Sequence, residues 1–169
     1  MRIACKVLSI CLIVLGLISS GCTSSSTAGL EENKAIVRRC MEELDKGNWA
    51  IFNELLTRDY VYHEPGRSFT RDESEQFMRS LRVAFPDGRV TIEEMIAEGD
   101  KVVTRYTSSG THKGEFMGIA ATGKKVVVTG IVITRVDKGK IAEDWEEFDA
   151  MGFMVQLGAI PPIGEADKK

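Results

Sequence analysis

KKVVVTGIVITRVDKGKIAEDWEEF, residues 124–148, decides the fold class. Two β-type runs flank Asp137-Lys138-Gly139, a tight-turn signal, so the segment reads as a hairpin. RVTIEEMIAEGDKVVTRYTSSGTH (89–112) repeats the pattern around Glu98-Gly99-Asp100. Between them, KGEFMGIAATG (113–123) reads as a loop with an apolar tip.

Upstream the period changes from two to helical. In EENKAIVRRCMEELDKG (31–47), Ile36, Val37, Cys40, Met41 and Leu44 recur at helical spacing, and Gly47 ends the run. NWAIFNELL (48–56) reads as a short helix with Asn48 as N-cap and Trp49, Phe52, Leu55 and Leu56 on its apolar side. RDYVYHEPG (58–66) alternates and then turns at Pro65-Gly66. Thr70 and Glu73 form a capping box that opens a third helix, with Phe77, Leu81, Ala84 and Phe85 inward. MGFMVQLG (151–158) reads as a short apolar helix or turn. Helices followed by a run of antiparallel strands predict an α+β layer, with helices on one face of a curved sheet. Such a bent sheet forms a cone with an apolar hollow, a default ligand site.

The chain has 169 residues and a net charge of −3, with mixed charges and no basic stripe. That argues against nucleic acid as a partner. MRIACK, then VLSICLIVLGLI, then SSGC has the three parts of an export signal, with an apolar core too short to span a bilayer comfortably. An uncleaved anchor is the alternative. Cys22 after Ser-Ser-Gly resembles the bacterial lipoprotein signal, which implies lipidation of Cys22, although Ser19 stands where that family prefers Leu. Acyl chains would hold the protein to a membrane at about 0.8 kcal/mol per buried methylene. The expected organisation is a signal peptide over 1–21, a Ser-rich tether over 22–30, one domain over 31–163 and a tail over 164–169. The expected location is a membrane-anchored lipoprotein facing the periplasm or cell exterior. Of Cys5, Cys11, Cys22 and Cys40, only Cys40 would remain free in the domain, so neither a disulfide nor a Cys-based metal site is expected.

FNELLTRDYVYHEPG, LRVAFPDGRVTIEEMIAEGDKVVTRYTSSGTHKGEFMGIAATGKKVVVTGI and GKIAEDWEEFDAMGFMVQLGAI, in that order, resemble the SnoaL-like polyketide cyclase family, also called ester cyclases. The resemblance runs from about Asn33 to Pro161. It implies the nuclear transport factor 2-like fold, a cone-shaped, cystatin-like α+β barrel, commonly a homodimer. It also implies a pocket for a small apolar organic ligand and ring closure by aldol chemistry without cofactor or metal. The family's acid/base carboxylate matches Glu146. Its polar partner, fourteen residues earlier, matches Val132, and this departure favours an alternative, a non-catalytic binding or protein-docking lipoprotein.

Several residues remain open on sequence alone. Asp144, Glu146 and Phe148 share one strand face, and Glu143, Trp145 and Glu147 share the other; alternation does not say which is inside. Glu146 is either a pocket acid/base or a solvated or ion-paired residue, with Arg105 or Arg135 as partner. His63, at a strand end leading into a loop, either shuttles protons near neutral pH or ties down the loop by hydrogen bonds. His112 matches the family pattern, but two histidines give thin metal ligation. Phe116 and Met117 either line the pocket as a lid or fold onto the cone. Tyr60, Tyr62 and Tyr106 offer hydroxyls to a ligand, and Phe77 and Leu81 are core residues that could line the hollow. Glycine-rich phosphate loops, a serine elbow and a catalytic-cysteine context are lacking, which argues against nucleotide use and covalent hydrolysis.

Overall fold

The computed structural model describes residues 27–162. Cys22, the export segment and residues 163–169 lie outside the described residues. α1 spans Thr27–Asp45, four residues earlier than the 31 expected for the domain start. α2 (Ile51–Leu55) follows, then strands β1 (Leu56–Glu64) and β2 (Arg67–Thr70), then α3 (Arg71–Ala84). The two hairpins are β3 (Arg89–Glu98) with β4 (Lys101–Thr111), and β5 (Lys125–Asp137) with β6 (Lys140–Phe148). α4 (Ala150–Leu157) completes the order.

Local chemistry sets the boundaries. Gly47 follows α1 at φ 79°, a left-handed stop. The capping box of α3 is complete: Thr70 Oγ1 accepts from the Glu73 N–H, and the Glu73 carboxylate accepts from the Thr70 N–H at 2.8 Å. Asn48 does not cap α2. Its amide donates to Glu43 Oε2 at 2.7 Å, and the cap position belongs to Ala50, whose side chain makes no cap bond.

The six strands form one open, curved sheet in the order β2-β1-β6-β5-β4-β3. Every neighbouring pair is antiparallel except β1 and β6, which run parallel. This pair departs from a purely hairpin-built sheet, because β1 joins the far edge of the last hairpin. All four helices cover the concave face through two apolar clusters. One joins Val37 and Cys40 of α1 to Ile51, Phe52, Tyr60, Tyr62, Val102 and Ile141. The other gathers Ala84, Phe85, Phe116, Val126 and Leu157. Phe77 packs against both. Tyr106, Val132, Glu146 and Phe148 belong to neither cluster. The stretch of concave face between the two cores is therefore the place that apolar packing leaves open.

Candidate functional site

The open stretch is built by strand alternation on three strands. On β6, Asp144, Glu146 and Phe148 face the concave side, and Glu143, Trp145 and Glu147 face out. On β1, Tyr60, Tyr62 and Glu64 face in and His63 faces out. Parallel pairing sets Tyr62 beside Asp144, and each tyrosine leans one step along the strand. The Tyr60 hydroxyl thus donates to Asp144 Oδ2 at 2.7 Å, and the Tyr62 hydroxyl donates to Glu146 Oε2.

Glu146 is held from both sides. Tyr62 donates to Oε2 and Tyr106, from β4, donates to Oε1. Val132 lies directly across from Glu146 on β5. Burial pushes the Glu146 pKa above the usual carboxylate range; the two tyrosine bonds oppose the rise, and the charges of Asp144 and Glu64 add to it. Both tyrosines are pushed well above the ordinary phenol value, first by burial and then by the Glu146 charge. The tyrosines therefore remain neutral donors to the carboxyl group. Asp144 is raised by burial too, while its bonds from Thr134 and Tyr60 hold it down. Among the described residues nothing basic pairs with either inner acid. Arg135 binds Glu143 at 3.0 Å, and Arg105 lies 3.7 Å from Glu94.

The walls are aromatic. Rings run Tyr62, Phe69, Phe77, Phe116, Phe85, His112, with successive centroids 5.1 to 6.0 Å apart. Val132, Glu146, Phe148 and Phe69 of the sheet, and Phe77 and Leu81 of α3, are only half-buried. These residues keep accessible surface beside the two apolar clusters. Two clefts lie elsewhere. One of about 570 Å³ runs between α1 and β3, lined by charged residues such as Lys34, Arg38, Glu42 and Glu94. The other, about 330 Å³, lies beside Arg105, Ile131 and Glu147.

The structure thus brings Glu146, Asp144, Tyr62, Tyr106, Val132 and Phe148 to one face and keeps others away. His63 is on the opposite face. Its ring stacks on Trp145 at 5.5 Å, with Nδ1 2.9 Å from Ser68 Oγ and Nε2 3.0 Å from Glu143 Oε1. Adjacent residues of a strand point to opposite sides, so Tyr62 inside requires His63 outside. Phe116 is buried in the second cluster, whereas Met117 sits at the loop tip, 62% exposed with φ 50°. Phe77 and Leu81 pack beside Phe116. His112 is fully buried beneath Phe85, and its Nδ1 accepts from the Thr122 N–H at 3.3 Å.

Two contributors were not singled out by sequence. Glu64 lies on the Tyr60–Tyr62 face, and the two-residue spacing of Tyr60, Tyr62 and Glu64 is the signal that would have found it. Gly130 is the other. It lies opposite Tyr106 in the β4–β5 register, and the Tyr106 ring crosses over it toward β6. Among the described residues no helix is long and apolar enough to cross a membrane, and no group of three or more His, Cys, Asp or Glu is arranged to hold a metal ion.

The sequence model of the SnoaL-like polyketide cyclase family matches residues 35–157. Among solved structures, AclR from Streptomyces galilaeus, a candidate hydroxylase, is 26% identical with a TM-score of 0.72, covering 78% of this chain and 99% of its own. IdmH from Streptomyces antibioticus, a candidate polyketide cyclase, is 29% identical with a TM-score of 0.67, covering 75% and 98%. TsrD from Streptomyces laurentii is 26% identical with a TM-score of 0.70, covering 77% and 97%. No curated protein matches the chain significantly.

Proposed function

The chain belongs to the SnoaL-like polyketide cyclase family, and from that premise we propose that its hollow binds a small apolar organic molecule and catalyses cofactor-free proton transfer at carbon, with Glu146 as acid/base. One observation carries the reading: the Glu146 carboxyl sits between two neutral phenols on a face left open by the two cores. In its ionised form it is the base that would take a C–H proton. Its raised pKa places it nearer the working pH than an ordinary glutamate. Tyr62 and Tyr106 would steady the carboxylate by donating their hydroxyl protons to it.

The test is exchange of α-protons in deuterated water for a panel of small 1,3-dicarbonyl compounds, followed by NMR. Wild type should accelerate exchange and Glu146→Gln should not, while ligand-induced shifts persist in both. No acceleration by wild type in any compound that binds would end the catalytic reading. Val132 opposite Glu146 favours a second reading, a binding module that captures the same class of molecule without turnover.

Two wider features belong to the same proposal. The export segment and Cys22 support a lipid-anchored protein on the outer side of a membrane, tested by mass spectrometry of the mature N-terminus; an unmodified start elsewhere refutes it. The outer sheet face supports a homodimer. It exposes Ile131 between Arg105 and Glu147, with Ile133 and Ile96 on either side of Val103, and so offers apolar area with both signs of charge to a second copy. Sedimentation of wild type against Ile131→Glu tests it; the variant should be monomeric, and a monomeric wild type refutes the pairing.

A further inference from the structure

We propose that Glu64 is the outer station of a proton relay that runs through the Tyr62 hydroxyl to Glu146. The proposal rests on the reading of Glu146 as the proton-transfer group. Glu64 is the last residue of β1, on the same face as Tyr62, and its Oε2 lies 3.3 Å from the Tyr62 oxygen that also contacts Glu146 Oε2. One phenol therefore stands between two carboxyl groups. A hydroxyl has one proton to donate and lone pairs to accept another, so it bonds both neighbours fully only when one of them is protonated. The site thus has two wirings, with the proton on Glu146 or on Glu64.

The Glu64 end leads outward. Across the Pro65-Gly66 turn, Arg67 pairs with Glu64 and lays its guanidinium over Phe69 and Phe77, 4.7 and 5.0 Å from their ring centres. The Glu64 side chain is 6% exposed beneath Arg67, which is 41% exposed. A ligand filling the hollow would displace water from Glu146, and the Tyr62 path would then join that carboxyl to the rim.

The step balances. A substrate C–H bond breaks, its electron pair stays on the substrate as an enolate, and an O–H bond forms at Glu146. That proton then passes from Glu146 Oε2 to the Tyr62 oxygen as the original Tyr62 proton passes to Glu64 Oε2. Tyr62 is neutral before and after, and one negative charge has moved from Glu64 to Glu146. Glu64 touches no ligand in this scheme; it acts through Tyr62.

The test needs no ligand. Exchange of the Tyr62 and Tyr106 hydroxyl protons with water is measured by NMR on tyrosine-labelled protein, with backbone spectra confirming the fold. Glu64→Gln should slow Tyr62 exchange by about a hundredfold, the low end of what general acid–base assistance supplies. Glu64→Asp should recover part of the rate, and Glu147→Gln, on the outer face, should leave it unchanged. If Glu64→Gln fails to fold, Tyr62→Phe serves instead, and the relay requires slower Tyr106 exchange there. Rates equal to wild type in the folded Glu64→Gln protein, or in Tyr62→Phe, overturn the relay. That result leaves the role of Glu146 intact, and full catalysed exchange by Glu146→Gln would sink that role whatever the hydroxyl rates show.

Discussion

Tyr106 reaches Glu146 only because residue 130 is glycine. The two are direct partners across β4 and β5, and a Cβ on Gly130 would lie 2.4 Å from the Tyr106 hydroxyl oxygen. Gly130→Ala should therefore swing the phenol off Glu146 and cost about 1–3 kcal/mol, the range for overpacking. Chemical denaturation checks the stability, and loss of the Tyr106 hydroxyl signal from its slow-exchanging position checks the displacement.

Glu146 should make the protein less stable as pH rises. Its folded pKa is raised, so between the ordinary glutamate range and that raised value the folded state holds a proton that the unfolded chain has released. Stability falls with pH through this window. Glu146→Gln should flatten the fall and raise the melting temperature above the window, by about 3 °C per kcal/mol gained in a domain of this size. Thermal scans from pH 4 to pH 8 on both proteins measure it.

Tyr60→Phe removes one of the two donors to Asp144 and leaves the other, Thr134. A buried carboxyl losing a bond should cost about 1–3 kcal/mol. The loss should be smaller in acid, where Asp144 is protonated. Urea unfolding at two pH values separates the two contributions.

Thr70→Ala should cost about 1 kcal/mol through the capping box of α3. Ligand binding should be unchanged, because Thr70 and Glu73 are exposed and lie outside the hollow. Denaturation and a binding titration check both halves.

Cys40 should resist thiol reagents in the folded protein. It is 6% exposed, and burial, with the Asp144 charge, pushes its pKa up to about 12, so almost no thiolate exists at neutral pH. Reaction with a maleimide should appear only on unfolding.

Much of this was legible in the sequence because it is local. The turns at Gly99 and Gly139, the stop at Gly47 and the Thr70–Glu73 box each lie within a few residues of what they control, and each forms as read. Alternation in EDWEEF correctly grouped Asp144, Glu146 and Phe148. It could not say that this set was the inner one, because that depends on Tyr60 and Tyr62 arriving from a strand 84 residues away. The same missing contact left His63 as a candidate beside Glu146. Once Tyr62 is known to point inward, His63 must point outward. Asn48 illustrates a local rule that does not hold here: its Nδ2 donates to Glu43, and the helix starts two residues later, with Ala50 at the cap position.

The parallel β1–β6 pair also governs when the site can come into being. Both tyrosine–carboxylate bonds close loops of 84 residues, and β6 is the last strand among the described residues. Contacts of such long sequence separation carry a large closure entropy and slow the folding of sheet proteins. During synthesis β1 must wait, unpaired on that edge, until nearly the whole domain has emerged. Assembly of the acid–phenol cluster is therefore a report that folding is complete, and a chain truncated before β6 should hold every tyrosine of the site and none of its chemistry.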